Sequence, residues 1–172
     1  MPASVTAATG IDAISHAVES NVTTKRNPIS HLFSRRAWRM LSSSFPKVLD
    51  NPQDLEARGA MLLGAHLAGA AIENSMLGAT HALANPLTAR FEITHGLAIG
   101  LMLPHVVRYN STVAGPLYAR LAADAGLCGL DDPQAGRVLA DWIAGIVARA
   151  GCPTTLSACN VPADALPQLA SE

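Results

Sequence analysis

Apolar residues recur along the chain at the three- and four-residue spacing of amphipathic helices. In the first such segment Ile11, Ile14 and Val18 fall on one face, and the same spacing returns further along the chain. The pattern predicts helices over residues 5–21, 29–43, 52–76, 94–107, 115–125, 133–150 and, with an interruption, 162–171. Residues 78–90 fit either a broken helix or a structured loop, because they are rich in small side chains and contain a proline. No segment shows the alternation of a half-buried strand.

The third predicted helix is apolar on nearly all sides over residues 60–71, so we expect it at the centre of a bundle. Asn51 followed by Pro52 is expected to begin that helix, with the asparagine as cap. Thr94 is expected to cap the helix over 94–107. Pro104 is expected to kink or end that helix near the preceding turn.

Composition supports an all-helical fold. Aromatic residues make up only 4% of the 172 residues, and alanine, the best helix former, is abundant. We therefore predict an all-α helical bundle that occupies residues 1–172 as one domain, without a nucleotide-binding α/β sheet. Both ends fall within helical patterns, so we expect a fragment of a longer protein.

Charge and cysteine content narrow the class of protein. The formal net charge is −1 and no basic stripe is present, which argues against nucleic-acid binding. The longest apolar stretches, residues 61–72 and 97–107, are too short and too polar to span a membrane. We expect no signal peptide, because the first ten residues lack a basic start and a solid apolar core. Three cysteines without a CxxC pattern argue against a disulfide framework and against a cysteine-based zinc site. Free thiols are typical of the cytoplasm, where we expect the protein.

Two pairs of residues carry candidate metal chemistry. Asp12 and His16 are four residues apart, so they project from one helix face and can chelate a divalent ion, or simply form an ion pair or hydrogen bond. His81 and His95 flank a segment rich in small residues, and they are either ligands or two unrelated histidines. Together the four offer three nitrogens and one oxygen, a set that suits Fe²⁺, Zn²⁺ or Co²⁺ rather than Ca²⁺ or Mg²⁺.

The other polar candidates have simpler interpretations. His66 lies within the apolar third helix and is expected in the core, His105 is expected to have a structural or supporting role, and His31 is expected at the surface. Glu19 lies about one turn after His16, so it either supports the metal ligands or is a solvated helix residue.

Two stretches resemble the signatures of the iron-containing alcohol dehydrogenase family. Residues 9–19 (TGIDAISHAVE) are similar to its metal-binding helix. Residues 81–87 (HALANPL), 94–98 (THGLA) and 103–110 (LPHVVRYN) are together similar to its second signature, and the order and spacing of the histidines agree. The resemblance extends over nearly the whole chain.

The resemblance implies a function. It makes Asp12, His16, His81 and His95 the ligands of Fe²⁺, with Zn²⁺ as the alternative metal. The complete protein is then an oxidoreductase that interconverts a small alcohol and an aldehyde or ketone by hydride transfer with NAD(P). In the family an N-terminal α/β part binds NAD(P); that part and the last helices of the family are not matched here, so the fragment alone is expected to be inactive. The resemblance is compatible with a homo-oligomer.

Asn85 departs from the family pattern. Members often carry a histidine at this position, near the nicotinamide, where it helps to move protons. Asparagine forms hydrogen bonds but does not titrate, so a proton relay through Asn85 is not expected to work in the same way.

Two other functions fit the same ligand set: a helical metal-binding module without redox activity, and a helical metal-dependent hydrolase. The hydrolase lacks support, because neither an adjacent His-Asp pair nor an HExxH motif occurs.

Overall fold

Seven α-helices and two short 3₁₀ turns account for all regular structure in the computed structural model, which describes residues 1–171. The helices are α1 (Ala3–Val22), α2 (Pro28–Asp50), α3 (Leu55–Glu73), α4 (Ala79–Phe91), α5 (His95–Asp124), α6 (Ala135–Arg149) and α7 (Leu166–Leu169). The 3₁₀ turns are Ser157–Cys159 and Ala163–Ala165. The predicted all-α fold is confirmed, and the described part of the chain contains no strand.

The central helix of the bundle is α1, because it packs against α2, α3 and α5. Its inward positions carry small and branched apolar residues, among them Ile11, Ala17 and Val18, which are at most 1% exposed. Gly10 allows the ring of Phe45 from α2 to lie directly on the α1 backbone, since an added Cβ would come within 2.8 Å of that ring. Small residues on α1 thus let three helices approach it closely.

The prediction that the third helix is central was wrong. Helix α3 lies at the edge of the bundle and buries only Ala57, Gly64, Ala68 and Ala71. Two of its leucines point outward: Leu55 is 80% exposed and Leu62 is 76% exposed. When a helix is apolar on all sides, its hydrophobic pattern does not indicate which face is buried. Here α2 packs against the small residues of α3, because they allow the closer approach.

Two helix boundaries differ from prediction at proline and asparagine positions. Helix α2 continues through Pro46 to Asp50 instead of ending near residue 43, because burial of Phe45 and Val48 on either side compensates for the one backbone hydrogen bond that proline removes. Asn51 closes α2 by donating its backbone N–H to the Lys47 carbonyl, and it does not begin α3. The cap of α3 is Asp54, whose side chain accepts the N–H of Ala57 at 2.9 Å.

Helix α5 combines two predicted helices. Pro104 does not end it, and the interruption falls instead at Ala114, whose φ of −112° and ψ of 16° are non-helical. The kink precedes Gly115 and Pro116, which both weaken helix continuity. Thr94 occupies the cap position without a side-chain hydrogen bond to the backbone. The ambiguous segment over residues 78–90 is the helix α4, with its proline inside.

Close backbone approach joins α5 to α1 beside the candidate residues. A Cβ on Gly96 would lie 2.6 Å from the carbonyl carbon of Ala8 and would also overlap the Ala8 oxygen. Further along, Asp124 on α5 binds two arginines of α2: Arg35 donates from Nε at 2.9 Å and Arg39 from Nη2 at 2.7 Å. These contacts hold both ends of α5 against the first two helices.

The structure also shows the state of the three cysteines and whether any helix is suited to cross a membrane. The three cysteines are free, and Cys152 is buried, as expected from their sequence pattern. Within residues 1–171, no helix reaches the combination of length and apolar character that crossing a bilayer requires.

Candidate metal centre

The four predicted ligands come from three helices that meet at one point. Asp12 and His16 lie one turn apart on α1, His81 lies in the first turn of α4, and His95 is the first residue of α5. Because α1 packs on α5 and α5 packs on α4, the fold brings together residues that are far apart in sequence. His81 and His95 are therefore neighbours in the fold rather than spatially unrelated histidines.

The carboxylate of Asp12 is the common neighbour. Its Oδ1 lies 3.3 Å from Nε2 of His16, 3.5 Å from Nε2 of His81 and 3.7 Å from Nε2 of His95. The imidazole ring of His81 stacks on that of His16, with centroids 5.0 Å apart, and is tilted to that of His95 at 5.3 Å. The ligand atoms of Asp12, His81 and His95 all lie within 4.8 Å of one another, and His16 adjoins this set through Asp12.

These distances fit a transition-metal ion. Two atoms bound tetrahedrally to one ion at about 2.1 Å lie about 3.4 Å apart, which is close to the separations around Asp12. Oδ1 of Asp12 and Nε2 of His81 are buried and have no hydrogen-bond partner within residues 1–171, although buried polar atoms are normally paired. A donor set of three nitrogens and one carboxylate oxygen suits Fe²⁺ or Zn²⁺.

The cluster is open on one side. The side chain of His81 is 10% exposed, whereas that of His95 is 39% exposed. Asp12 and His16 lie between these two extremes. A small molecule therefore has access to the cluster from the His95 side.

A further acidic residue belongs to the site. Glu19 on α1 is 3% exposed; one carboxylate oxygen accepts the backbone N–H of Thr80 at 2.7 Å and the other contacts Nδ1 of His81. The interpretation of Glu19 as a solvated residue was wrong. Its signal in the sequence was its spacing, because positions 12, 16 and 19 repeat at helical periodicity on one face of α1.

The charges of the cluster perturb its pKa values. Burial alone would lower the pKa of His81, but the carboxylates of Asp12 and Glu19 outweigh burial and raise it to about 9. Burial would raise the pKa of Asp12, and the neighbouring histidines, His81 foremost, hold it below its ordinary value instead. For His16, burial prevails over the attraction of Asp12 and lowers the pKa. The two carboxylates thus concentrate positive charge on His81.

The remaining candidates lie outside the cluster. Asn85 is exposed on α4, one turn after His81. His66 is exposed on the outer side of α3, so the prediction of a core position was wrong for the same reason as the central placement of that helix. His105 is also exposed, and His31 is half-buried near the start of α2.

Comparison with known proteins identifies the family. Residues 6–172 match the family model described as "Fe-containing alcohol dehydrogenase family, C-terminal". Long-chain-alcohol dehydrogenase 1 of Geobacillus thermodenitrificans (strain NG80-2) is 35% identical over 174 residues, which cover 100% of this chain and 44% of that protein. The 1,3-propanediol dehydrogenase of Citrobacter freundii is 33% identical over 98% of this chain and 44% of its own length.

A solved structure agrees with these sequence relatives. The crystal structure of a 1,3-propanediol oxidoreductase superposes with a TM-score of 0.94 at 32% identity, and the match covers 99% of this chain and 45% of that one. The chain thus spans less than half the length of the relatives that it matches. With the fold, the sequence relatives and the motif resemblance in agreement, the chain belongs to the Fe-containing alcohol dehydrogenase family.

Proposed function

We propose that the chain is the metal-binding helical part of an NAD(P)-dependent alcohol dehydrogenase that interconverts an alcohol and an aldehyde or ketone. The observation that supports this most directly is the approach of three imidazole nitrogens to Oδ1 of Asp12 at 3.3–3.7 Å. In the proposal Asp12, His16, His81 and His95 hold Fe²⁺, with Zn²⁺ as the alternative. The bound ion supplies Lewis acidity for the alcohol or carbonyl oxygen.

In the proposal, the residues around the cluster control substrate access, exclude water and orient bound groups. The exposed side of His95 admits the substrate, and the buried sides of His81 and Glu19 keep water away from the opposite face of the cluster. Asn85 lies one turn beyond His81, where it can orient a substrate or cofactor group by hydrogen bonding but cannot exchange a proton. Long-chain alcohols and 1,3-propanediol, named for the two relatives, are the first substrates to test.

NAD(P) is expected to be held by another part of the complete protein. Residues 1–171 contain no strand and therefore no strand–loop–helix unit that could cradle a dinucleotide. Holding nicotinamide and substrate in reacting contact can supply about 7–11 kcal/mol of the barrier to hydride transfer. The 172-residue chain by itself is therefore expected to bind metal without turning over alcohol.

The three free thiols support a cytoplasmic location.

Metal binding is tested with a pair of histidine variants on one helix. Both His95 and His105 belong to α5, but only His95 faces the cluster. Zn²⁺ affinity, measured by competition with a chromophoric chelator, should fall at least tenfold in His95→Ala and stay within twofold of the wild type in His105→Ala. Equal affinities in the three proteins would contradict the ligand assignment.

An open coordination position distinguishes a dehydrogenase site from a purely structural metal module. The visible spectrum of the Co²⁺-loaded chain should change when 1,3-propanediol is added, because a catalytic site keeps one position free whereas a structural site is closed. An unchanged spectrum at saturating alcohol would favour the module. Reduced nicotinamide formed by the loaded chain with alcohol and NAD or NADP would instead refute the expectation that the cofactor is held elsewhere.

A further inference from the structure

We infer that Glu19 is a positioning residue that fixes the ring of His81 with Nδ1–H toward Glu19 and Nε2 toward the metal. The inference rests on the proposed function, since it concerns how this chain prepares one of the proposed ligands. It adds a fifth side chain to the site, one that does not touch the ion itself.

The carboxylate of Glu19 is held from two directions. Oε1 accepts the Thr80 N–H at 2.7 Å, and Oε2 contacts Nδ1 of His81, so the group cannot rotate without losing one partner. Gly78 leaves the room that the carboxylate needs on a third side, because a Cβ there would lie 3.0 Å from Oε1. A carboxylate that is 3% exposed and confined in this way presents a fixed acceptor to His81.

A fixed acceptor determines which nitrogen of His81 carries the hydrogen. A carboxylate accepts hydrogen bonds and does not donate them, so Nδ1 carries a hydrogen and Nε2 is the nitrogen left to bind metal. Nε2 lies 3.5 Å from Oδ1 of Asp12 and has no hydrogen-bond partner within the described chain. The ring is thus presented to the cluster through the atom that a metal would take. Carboxylate–histidine–metal arrangements of this kind orient the ligand and raise its basicity.

Glu19 also connects two helices that otherwise meet little. Helix α4 packs mainly on α5, whereas Glu19 extends from α1 to the first turn of α4. His81 lies in that same first turn, so one side chain sets both the position of the turn and the orientation of the ring. Loss of the Glu19 carboxylate is expected to disturb the orientation of the His81 ring more than the fold.

The test compares Glu19→Gln with Glu73→Gln. A glutamine at position 19 keeps the size but has a single acceptor oxygen, so it cannot serve both Thr80 N–H and His81 Nδ1–H. Glu73 is exposed at the end of α3, and its variant controls for the loss of one negative charge. We expect Zn²⁺ affinity to fall roughly 10–100-fold in Glu19→Gln and to change less than twofold in Glu73→Gln.

A second measurement reports on the ring directly. Nitrogen-15 spectra of the His81 ring in the Zn²⁺-loaded chain should show hydrogen on Nδ1 and the metal on Nε2 in the wild type, and a mixture of Nε2-bound and Nδ1-bound rings in Glu19→Gln. If Glu19→Gln does not fold by circular dichroism, Gly78→Ala replaces it, because the added methyl crowds Oε1 while Glu19 keeps both carboxylate oxygens. Gly78→Ala should then show the same loss of affinity and the same spectral change, in smaller measure.

The outcomes separate the two proposals. Wild-type affinity and an unchanged His81 spectrum in the position-19 variant, or in Gly78→Ala if that variant is used, would overturn the role of Glu19 and leave the metal site standing. Failure of the wild-type chain to bind Zn²⁺, Fe²⁺ or Co²⁺ at all would overturn the proposed function, and with it this inference. Reduced affinity together with the changed spectrum supports both.

Discussion

Replacing Gly96 by alanine is expected to damage the metal centre through the helix packing rather than through any ligand. The new Cβ would lie 2.6 Å from the carbonyl carbon of Ala8, whereas carbon atoms in contact prefer at least about 3.5 Å. The obstacle is backbone, so no side-chain rotation relieves it. Helix α5 must therefore move away from α1 by about 1 Å, at a cost of roughly 1–3 kcal/mol.

The same movement reaches His95, which directly precedes Gly96. Nε2 of His95 now lies 3.7 Å from Oδ1 of Asp12, and ligand distances in metal sites are held to about 0.2 Å. A displacement of about 1 Å is several times this tolerance, so Gly96→Ala should lose most of the contribution of His95 to metal binding. We expect at least a tenfold drop in Zn²⁺ affinity, similar to that of His95→Ala.

Urea denaturation and chelator competition measure the two effects separately, and Gly145→Ala is the matched control. Gly145 lies inside α6 with nothing within 4 Å of an added Cβ, so its replacement should stabilise the protein by up to about 1 kcal/mol through helix propensity and leave metal affinity unchanged. The reasoning would be refuted by a Gly96→Ala protein with wild-type stability and wild-type affinity, because the close approach of α1 and α5 would then be dispensable.

Three further outcomes are expected. Partial burial alone would raise the pKa of Asp124, but Arg39 and Arg35 outweigh it and hold that pKa below its ordinary value of 3.8. Asp124→Asn should therefore lower the free energy of unfolding by about 1–2 kcal/mol at pH 7, and the difference from wild type should vanish as urea titrations are taken below pH 3.8, through the folded-state pKa. Free Zn²⁺ at about 100 times its dissociation constant should raise the free energy of unfolding by about 2.7 kcal/mol, and EDTA should reverse the gain, as thermal denaturation can show. Asn85→His should leave the thermal midpoint nearly unchanged, because residue 85 is exposed, while it shifts the pH–rate profile of the complete enzyme; an identical profile would place residue 85 outside the proton path.

Local spacing predicted more of the site than of the packing. Asp12 and His16 were identifiable because an interval of four residues sets two side chains on one face whatever surrounds the helix. Nothing in that rule states how far α1 lies from α4, so the distance of His81 from Asp12 required the tertiary structure. The motif resemblance supplied the association between the two pairs, and the same periodicity extended to Glu19 could have added the fifth residue.

Packing was harder to predict where composition is uniform. In α3 leucine and alanine alternate around the whole helix, so hydrophobicity alone could not distinguish the buried Ala68 from the exposed Leu62. Prolines were the second source of error. Pro46 and Pro104 both lie inside helices, next to the buried residues Phe45 and Leu103 respectively. The energy of that burial exceeds the loss of one backbone hydrogen bond, a comparison that requires knowledge of the partners.

The distribution of the four proposed ligands over α1, α4 and α5 affects the order of events during folding. An unfolded chain, or an isolated α1, offers only the two-point chelate of Asp12 and His16, whereas His81 and His95 join only after the three helices have docked. An ion held by all four therefore stabilises contacts that are completed late. Such stabilisation slows unfolding more than it accelerates folding. Metal binding should therefore lengthen the lifetime of the folded chain more than it raises the folding rate.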